Sequence, residues 1–300
     1  MKVSAISLGA SSLGGVFHPL REERGIEAVK TAVECGINFI DVSPYYGHFK
    51  AETVLGKALR QIPRDKYYLS TKVGRYGMDG VNTWDYSGKR AQESVKESMD
   101  RLNVDHIDLI NVHDIEFADL EQVCAETLPA LVDLRQKGIV GHVGITNLTL
   151  RHFKYVIEHV PAGTVESVLS FCHYTLNDDS LVDYLDFFEQ HGIGVINASP
   201  YSMGLLTARG VPDWHPAPAA LVRLAGRAAD FCSRKGVPIE KLAVQYSVSN
   251  PRIASTLFST TNPENVLKTI EYATSPADWE LISEVRHILE PGYRDTWVNS

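Results

Sequence analysis

Short apolar runs rich in β-branched residues alternate along the chain with longer stretches whose apolar positions recur at helical spacing. The runs cover residues 3–10, 37–42, 67–73, 106–113, 140–146, 165–171, 193–200 and 253–258. Each has strand length and little polar alternation, the pattern of a strand covered on both faces. Between them lie amphipathic stretches, among them residues 24–34, 52–60, 90–102, 120–137 and 181–190. Gly36, Gly138 and Gly192 follow three of these, where glycine accepts the left-handed backbone that stops a helix.

Eight strand candidates alternating with helices predict an α/β fold of the (β/α)8 TIM-barrel type rather than an open sheet. A doubly wound nucleotide-binding sheet would need a Gly-x-Gly-x-x-Gly turn after the first strand. The sequence there, "LGASSLGG", spaces Gly9, Gly14 and Gly15 wrongly, and no acidic residue ends a strand about 20 residues further on. The expectation is one barrel domain over residues 1–300, a length such barrels commonly reach. Two connections are long, about 73–88 and 199–219. Both follow strands, so both belong to the C-terminal face, where barrel enzymes carry their chemistry.

Composition changes this picture little. With 44% hydrophobic and 22% charged residues the chain is ordinary for a globular protein. A formal charge of −8 argues against a nucleic-acid or anionic-membrane partner. It does not exclude a nucleotide, because backbone N–H groups and helix N-termini hold phosphates without a basic surface. No apolar run approaches the roughly 18 residues of a membrane span, and the N-terminus lacks a signal-peptide pattern. Cys35, Cys124, Cys172 and Cys232 are far apart, which reads as reduced thiols in a cytoplasmic protein. "HDIE" and "WHP" supply His and carboxylates but not the convergent spacing of a zinc site. Nothing in the pattern speaks to oligomeric state.

The strand ends carry the candidate chemistry. The second run ends at Asp41 with Tyr45 and Tyr46 just beyond, the third at Lys72 and the fourth at His113. A barrel aims these ends at one mouth. There a tyrosine hydroxyl can act as acid or base if a lysine ammonium lowers its pKa, a carboxylate holds the ammonium, and a histidine orients the substrate oxygen. Taken singly, each is more often a packing, solvated or capping residue. Four in barrel register reverse that balance.

The motifs around these residues resemble the aldo-keto reductase superfamily over nearly the whole chain. "GINFIDVSPYYGHFKAETVLGKAL" is similar to the family's Asp–x4–Tyr-Gly–x4–Glu–x3–Gly stretch, with Asp41, Tyr46, Gly47, Glu52 and Gly56 in place. "IPRDKYYLSTKVG", "SMDRLNVDHIDLINVHDIE" and "KGIVGHVGITN" follow in the family's order. The resemblance implies a barrel that binds a nicotinamide cofactor without a Rossmann fold. It implies Tyr46 as general acid/base, Lys72 and Asp41 as its tuning pair, and His113 as the group that orients the substrate.

For the cofactor it implies Ser11 and Asp41, then Thr146 and Asn147 on the fifth strand. Ser170 on the sixth stands where many members carry a glutamine for the carboxamide. Ser199, Tyr201, Gly204 and Leu205 follow the seventh strand, and Ser259, Thr260 and Thr261 the eighth. Many members stack an aromatic ring on the nicotinamide where this chain has Ala198; Tyr201 offers a ring from another position. The first strand begins almost at Met1, so the N-terminal hairpin that closes such barrels is absent from the sequence, implying an incomplete chain or another closure.

Within the superfamily the likeness narrows to L-galactose 1-dehydrogenases, through "GRY", "HDIEF", "LSFCHYTLND", "MGLLT", "WHPA" and "ILEP". It implies NAD-linked oxidation of a small-molecule sugar at C1 to the lactone, L-galactose to L-galactono-1,4-lactone. His48, Arg75, Asp114 and Glu116, with His113, are the candidate substrate contacts. Dehydrogenases of other aldoses (L-fucose, D-arabinose) and of pyridoxal share part of the pattern. A cofactor-bound regulatory subunit like those of potassium channels would need a partner-binding extension, which the sequence does not show. NAD is expected over NADP because Thr260 and Val266 occupy positions where NADP users place cations, and Lys268 is flanked by Glu264 and Glu271.

Overall fold

The computed structural model describes residues 1–15, 19–77, 83–295 and 297. All eight expected strands form: β1 Ile6–Gly9, β2 Phe39–Asp41, β3 Tyr68–Val73, β4 Ile107–Val112, β5 Val140–Asn147, β6 Ser167–Phe171, β7 Gly194–Ala198 and β8 Ser255–Ser259. They are parallel, pair in sequence order, and close through β1 against β8. The fold is the (β/α)8 barrel.

The predicted helices are present with local differences. The stretch 120–137 begins at Leu120–Gln122, widens into a π turn over Val123–Thr127, and continues as Leu128–Gln136. The stretch 181–190 opens as a 3-10 turn, Ser180–Tyr184, before the helix Leu185–Gln190. Helix Gly88–Leu102 starts on Ser87, whose hydroxyl accepts from the Arg90 N–H, and stops on Asn103 in the left-handed conformation. Its buried positions, Ala91, Ser94, Val95, Ser98 and Leu102, recur at three and four, as a helix lying on a sheet demands.

The apolar residues divide by strand parity. Phe39, Leu109, Leu169, Ile196 and Leu257 fill the inside of the barrel. Alternate positions such as Ile110, Val143, Val168 and Val195 join the layer between strands and helices. This alternation decides which residues at the strand ends reach the mouth. Among the described residues no helix is long and apolar enough to cross a membrane.

Candidate active site

Asp41, Lys72 and His113 all stand on inward-facing rows and are almost wholly buried. Lys72 Nζ donates to Asp41 Oδ2 at 2.5 Å and to the Val42 carbonyl at 2.8 Å. The same ammonium lies 4.9 Å from the centre of the Tyr46 ring. Burial pulls the Lys72 pKa down, but Asp41 and Tyr46 outweigh it and leave the ammonium more firmly protonated than usual. Enclosure by protein pushes the Tyr46 phenol up to about 12, against the lowering pull of Lys72. Thus the tyrosine rests protonated, beside a cation poised to stabilise its anion.

His113 packs edge-on to Tyr46, ring centres 5.7 Å apart. Burial, then the charges of Lys72 and Arg75, hold its pKa well below the ordinary histidine value, so the imidazole is neutral. Ser43, a buried residue the sequence reading passed over, lies 3.0 Å from His113 Nδ1 and accepts from the Tyr45 N–H. On the other side, Asp114 Oδ2 is 3.5 Å from Nε2. An acceptor facing Nε2 favours the proton there, with the Ser43 hydroxyl donating to Nδ1. The ring thereby presents an N–H donor beside the tyrosine.

The loop after β3 builds a second layer. Arg75 pairs with Asp114, both buried. Its guanidinium lies over three rings: Tyr45 at 3.9 Å, Phe117 at 4.4 Å and Trp84 at 4.8 Å. Trp84 is itself 41% exposed and tilts against Phe117. Tyr86 reaches under the loop and donates to the carbonyls of His113 and Asp114. Burial raises the Asp114 pKa, and the Arg75 charge opposes it. Tyr45, Trp84 and Phe117 therefore wall the mouth. The only sequence signal for them was their place beside motif residues on long loops. Residues 78–82 of the expected 73–88 loop lie outside the described residues.

Several expected contacts are committed elsewhere. Ser170 follows the row of Val168, which faces the helices, whereas Leu169 faces the barrel interior. Its hydroxyl is buried without a partner among the described residues. Asn147 donates to the Thr149 carbonyl, approaches His152 Nδ1, and accepts from the Glu116 N–H. Thr146 Oγ1 accepts from the Asp114 N–H and lies 3.3 Å from Asp114 Oδ1. The pair shapes the β4 loop before it meets any ligand.

Glu116 is tied to the end of β5 through its backbone N–H and the Leu148 N–H. His48 sits on the exposed rim, against Gly77. Tyr201 packs between the two larger core clusters and meets Thr269 Oγ1 at 3.1 Å.

The residues expected to meet a cofactor on β1, β7 and β8 are uncharged and mostly polar. Ser11, Ser12 and Ser259 form one hydroxyl cluster across β1 and β8, with Ser259 2.8 Å from Ser12 and 3.1 Å from Ser11. After β7, Ser199 adopts a positive φ, as do the successive residues Ser202, Met203 and Gly204. Ser202 N–H bonds Ser199, and Leu205 N–H bonds Ser202, making this a rigid turn. Thr260 Oγ1 accepts from the Asn262 N–H, and Thr261 follows it, partly exposed. Hydroxyl donors beside the inward-facing Leu169 and Ala198 fit a ribose-bearing cofactor with a flat ring.

Val266 is fully buried in the core. Arg24, distant in sequence, reaches Asn262 Oδ1 at 2.9 Å and lies 3.8 Å from Glu264. Lys268 is therefore joined by a second cation near the β8 loop.

Fold and site together define a barrel oxidoreductase with a tyrosine–lysine–aspartate–histidine mouth. The chain belongs to the aldo/keto reductase family, whose model matches residues 5–290. It is 45% identical to L-galactose dehydrogenase of Arabidopsis thaliana, over 99% of this chain and 94% of the relative. It is 32% identical to D-arabinose 1-dehydrogenase of Saccharomyces cerevisiae, over 82% of this chain and 76% of that one. Among solved structures, the holo form of an aldo-keto reductase from Bacillus halodurans superposes with a TM-score of 0.79 at 23% identity, covering 99% of this chain and 95% of the other.

Proposed function

We propose that this chain is an NAD-dependent aldose 1-dehydrogenase acting on L-galactose to give L-galactono-1,4-lactone. The observation that carries the reading is Tyr46 beside the buried Lys72–Asp41 pair and neutral His113, at a mouth lined by Arg75 and Asp114. The 45% likeness to a plant L-galactose dehydrogenase supports the choice of sugar.

In this mechanism His113 donates from Nε2 to the C1 hydroxyl oxygen and fixes its position. Tyr46, as tyrosinate, takes the hydroxyl proton, and Lys72 stabilises the tyrosinate before that transfer. A nicotinamide ring, when bound, would accept the hydride from C1, while the hydroxyl oxygen gives its proton to Tyr46 and becomes the lactone carbonyl oxygen. Asp41 holds Lys72. Asp114 and Arg75 offer an acceptor and donors to the remaining sugar hydroxyls, and Trp84 offers a flat face to the ring's C–H edge.

Such a polar site discriminates strongly against deoxy analogues, because a missing hydroxyl leaves buried groups unpaired. Initial rates on L-galactose, L-fucose, D-arabinose and pyridoxal, with NAD+ and NADP+ side by side, test the proposal. The expected result is the highest kcat/KM for L-galactose with NAD+. Preference for pyridoxal, or no oxidation of any sugar, would overturn it.

A further inference from the structure

Beneath the Lys72–Asp41 pair the barrel interior carries an unusual polar row. Register places Asp41 beside Ser70, Lys72 beside Asn111, Asn111 beside Gly144, and Gly144 beside Ser167. Asp41, Ser70, Asn111 and Ser167 are all buried, where apolar side chains would pack at no polar cost. Ser70 Oγ lies 2.9 Å from Asp41 Oδ1, and Asn111 Nδ2 lies 3.0 Å from Ser70 Oγ.

The proton directions in this chain are forced. A carboxylate only accepts, so the single Ser70 proton points at Asp41. The Ser70 oxygen then needs a donor on its other side, and Asn111 must turn its NH2 toward it. That leaves Asn111 Oδ1 buried without a partner among the described residues. Such an orphan acceptor is costly, and turning the amide round would satisfy Oδ1 only by taking the proton from Asp41. Gly144 matches this arrangement: a Cβ there would collide with Asn111 Oδ1 and Ser167 Oγ.

We propose that Asn111 and Ser70 are positioning residues that aim one proton at Asp41 Oδ1, so that the carboxylate does not draw Lys72 away from Tyr46. The inference rests on the proton-transfer roles given above to Asp41, Lys72 and Tyr46. With Oδ1 satisfied by Ser70, only Oδ2 engages the ammonium, and Lys72 keeps part of its field for the phenol. Without it the carboxylate charge is balanced by Lys72 alone, and tyrosinate is harder to form.

The test uses the full chain and reads two reactions against pH: oxidation of the preferred aldose with NAD+, and reduction of a small aromatic aldehyde with NADH. Oxidation needs tyrosinate and reduction needs the phenol, so the same ionisation bounds both. Ser70→Ala and Asn111→Leu should move the alkaline limb of both profiles upward by about half a pH unit or more. Below the limb oxidation should fall about threefold or more at fixed pH, while reduction persists to higher pH. Asn111→Asp, which captures the Ser70 proton, should shift further the same way, and Ser70→Thr should restore the limb. A packing defect would lower both reactions at every pH with the limbs unmoved, and that result overturns the inference. Asn111→Leu, close in volume, decides the matter if Ser70→Ala does not fold. If the unaltered chain oxidises no aldose yet reduces the aldehyde, the substrate reading falls and the relay is judged on the reduction limb alone.

Discussion

Asp41 ends β2 with its charge turned inward, and the reason lies in its partners: Lys72 on one oxygen and Ser70 on the other. The neighbouring tyrosines divide by environment. The Tyr46 ring lies under the Lys72 ammonium, whereas the Tyr45 ring lies under Arg75. Tyr46→Phe should therefore lower oxidation about a hundredfold or more while NAD binding, read by fluorescence titration, is retained. Tyr45→Phe should keep turnover. With the phenol pushed up to about 12, tyrosinate is scarce at neutral pH and its fraction rises about tenfold per unit. The logarithm of the oxidation rate should accordingly climb from neutral toward alkaline pH. A flat profile would remove Tyr46 as the base. These residues were legible in the sequence because strand ends in a barrel share one mouth. Ser43 and Asn111 were not, since a serine just past a strand or an asparagine within one gives no sign of which buried partner it meets.

At the level of elements, the strands were readable from their apolar runs, and the helices from their spacing. Which face each strand-end residue takes was harder, because a shift of one residue, as from Val168 to Leu169, exchanges the helix layer for the barrel interior. The loop after β3 shows a related limit. Its length marked it as functional, but its aromatic packing around Arg75 depends on β2 and β4, which the sequence does not juxtapose. Tyr86 is the buried post of that loop, joining it to the carbonyls of His113 and Asp114. Tyr86→Phe removes a donor shared by two carbonyls. It should cost about 1–3 kcal/mol of stability, measured by denaturant unfolding. The sugar KM should rise with it, because Asp114 loses its anchor, while the KM for NAD+ stays near its original value. An unchanged sugar KM would show that the loop holds its shape without Tyr86.

Barrel closure is what makes the cofactor question a property of the whole molecule. Pairing β1 with β8 sets Ser11 and Ser12 against Ser259, and carries Arg24 to Asn262 across almost the full length of the chain. Sequence proximity found Lys268 and its acidic neighbours but could not find Arg24. A 2′-phosphate is held by cations in close, preferably bidentate contact. Here Arg24 is exposed, already bonded to Asn262, and accompanied by Glu264 at 3.8 Å, so its field toward a dianion is partly cancelled. Thr260, by contrast, is partly buried at the strand end and presents only a hydroxyl. Thr260→Arg should therefore shift the ratio of kcat/KM for NADP+ over NAD+ upward by about tenfold or more, a gain of the size of one charge-assisted hydrogen bond. Glu264→Gln should move it in the same direction by less, by freeing Arg24. Arg24→Ala should leave NAD+ kinetics near their starting values. If Arg24→Ala instead abolishes an existing preference for NADP+, the cation in the first turn of the helix Glu22–Glu34 outweighs the acidic residues around it, and the assignment to NAD is wrong.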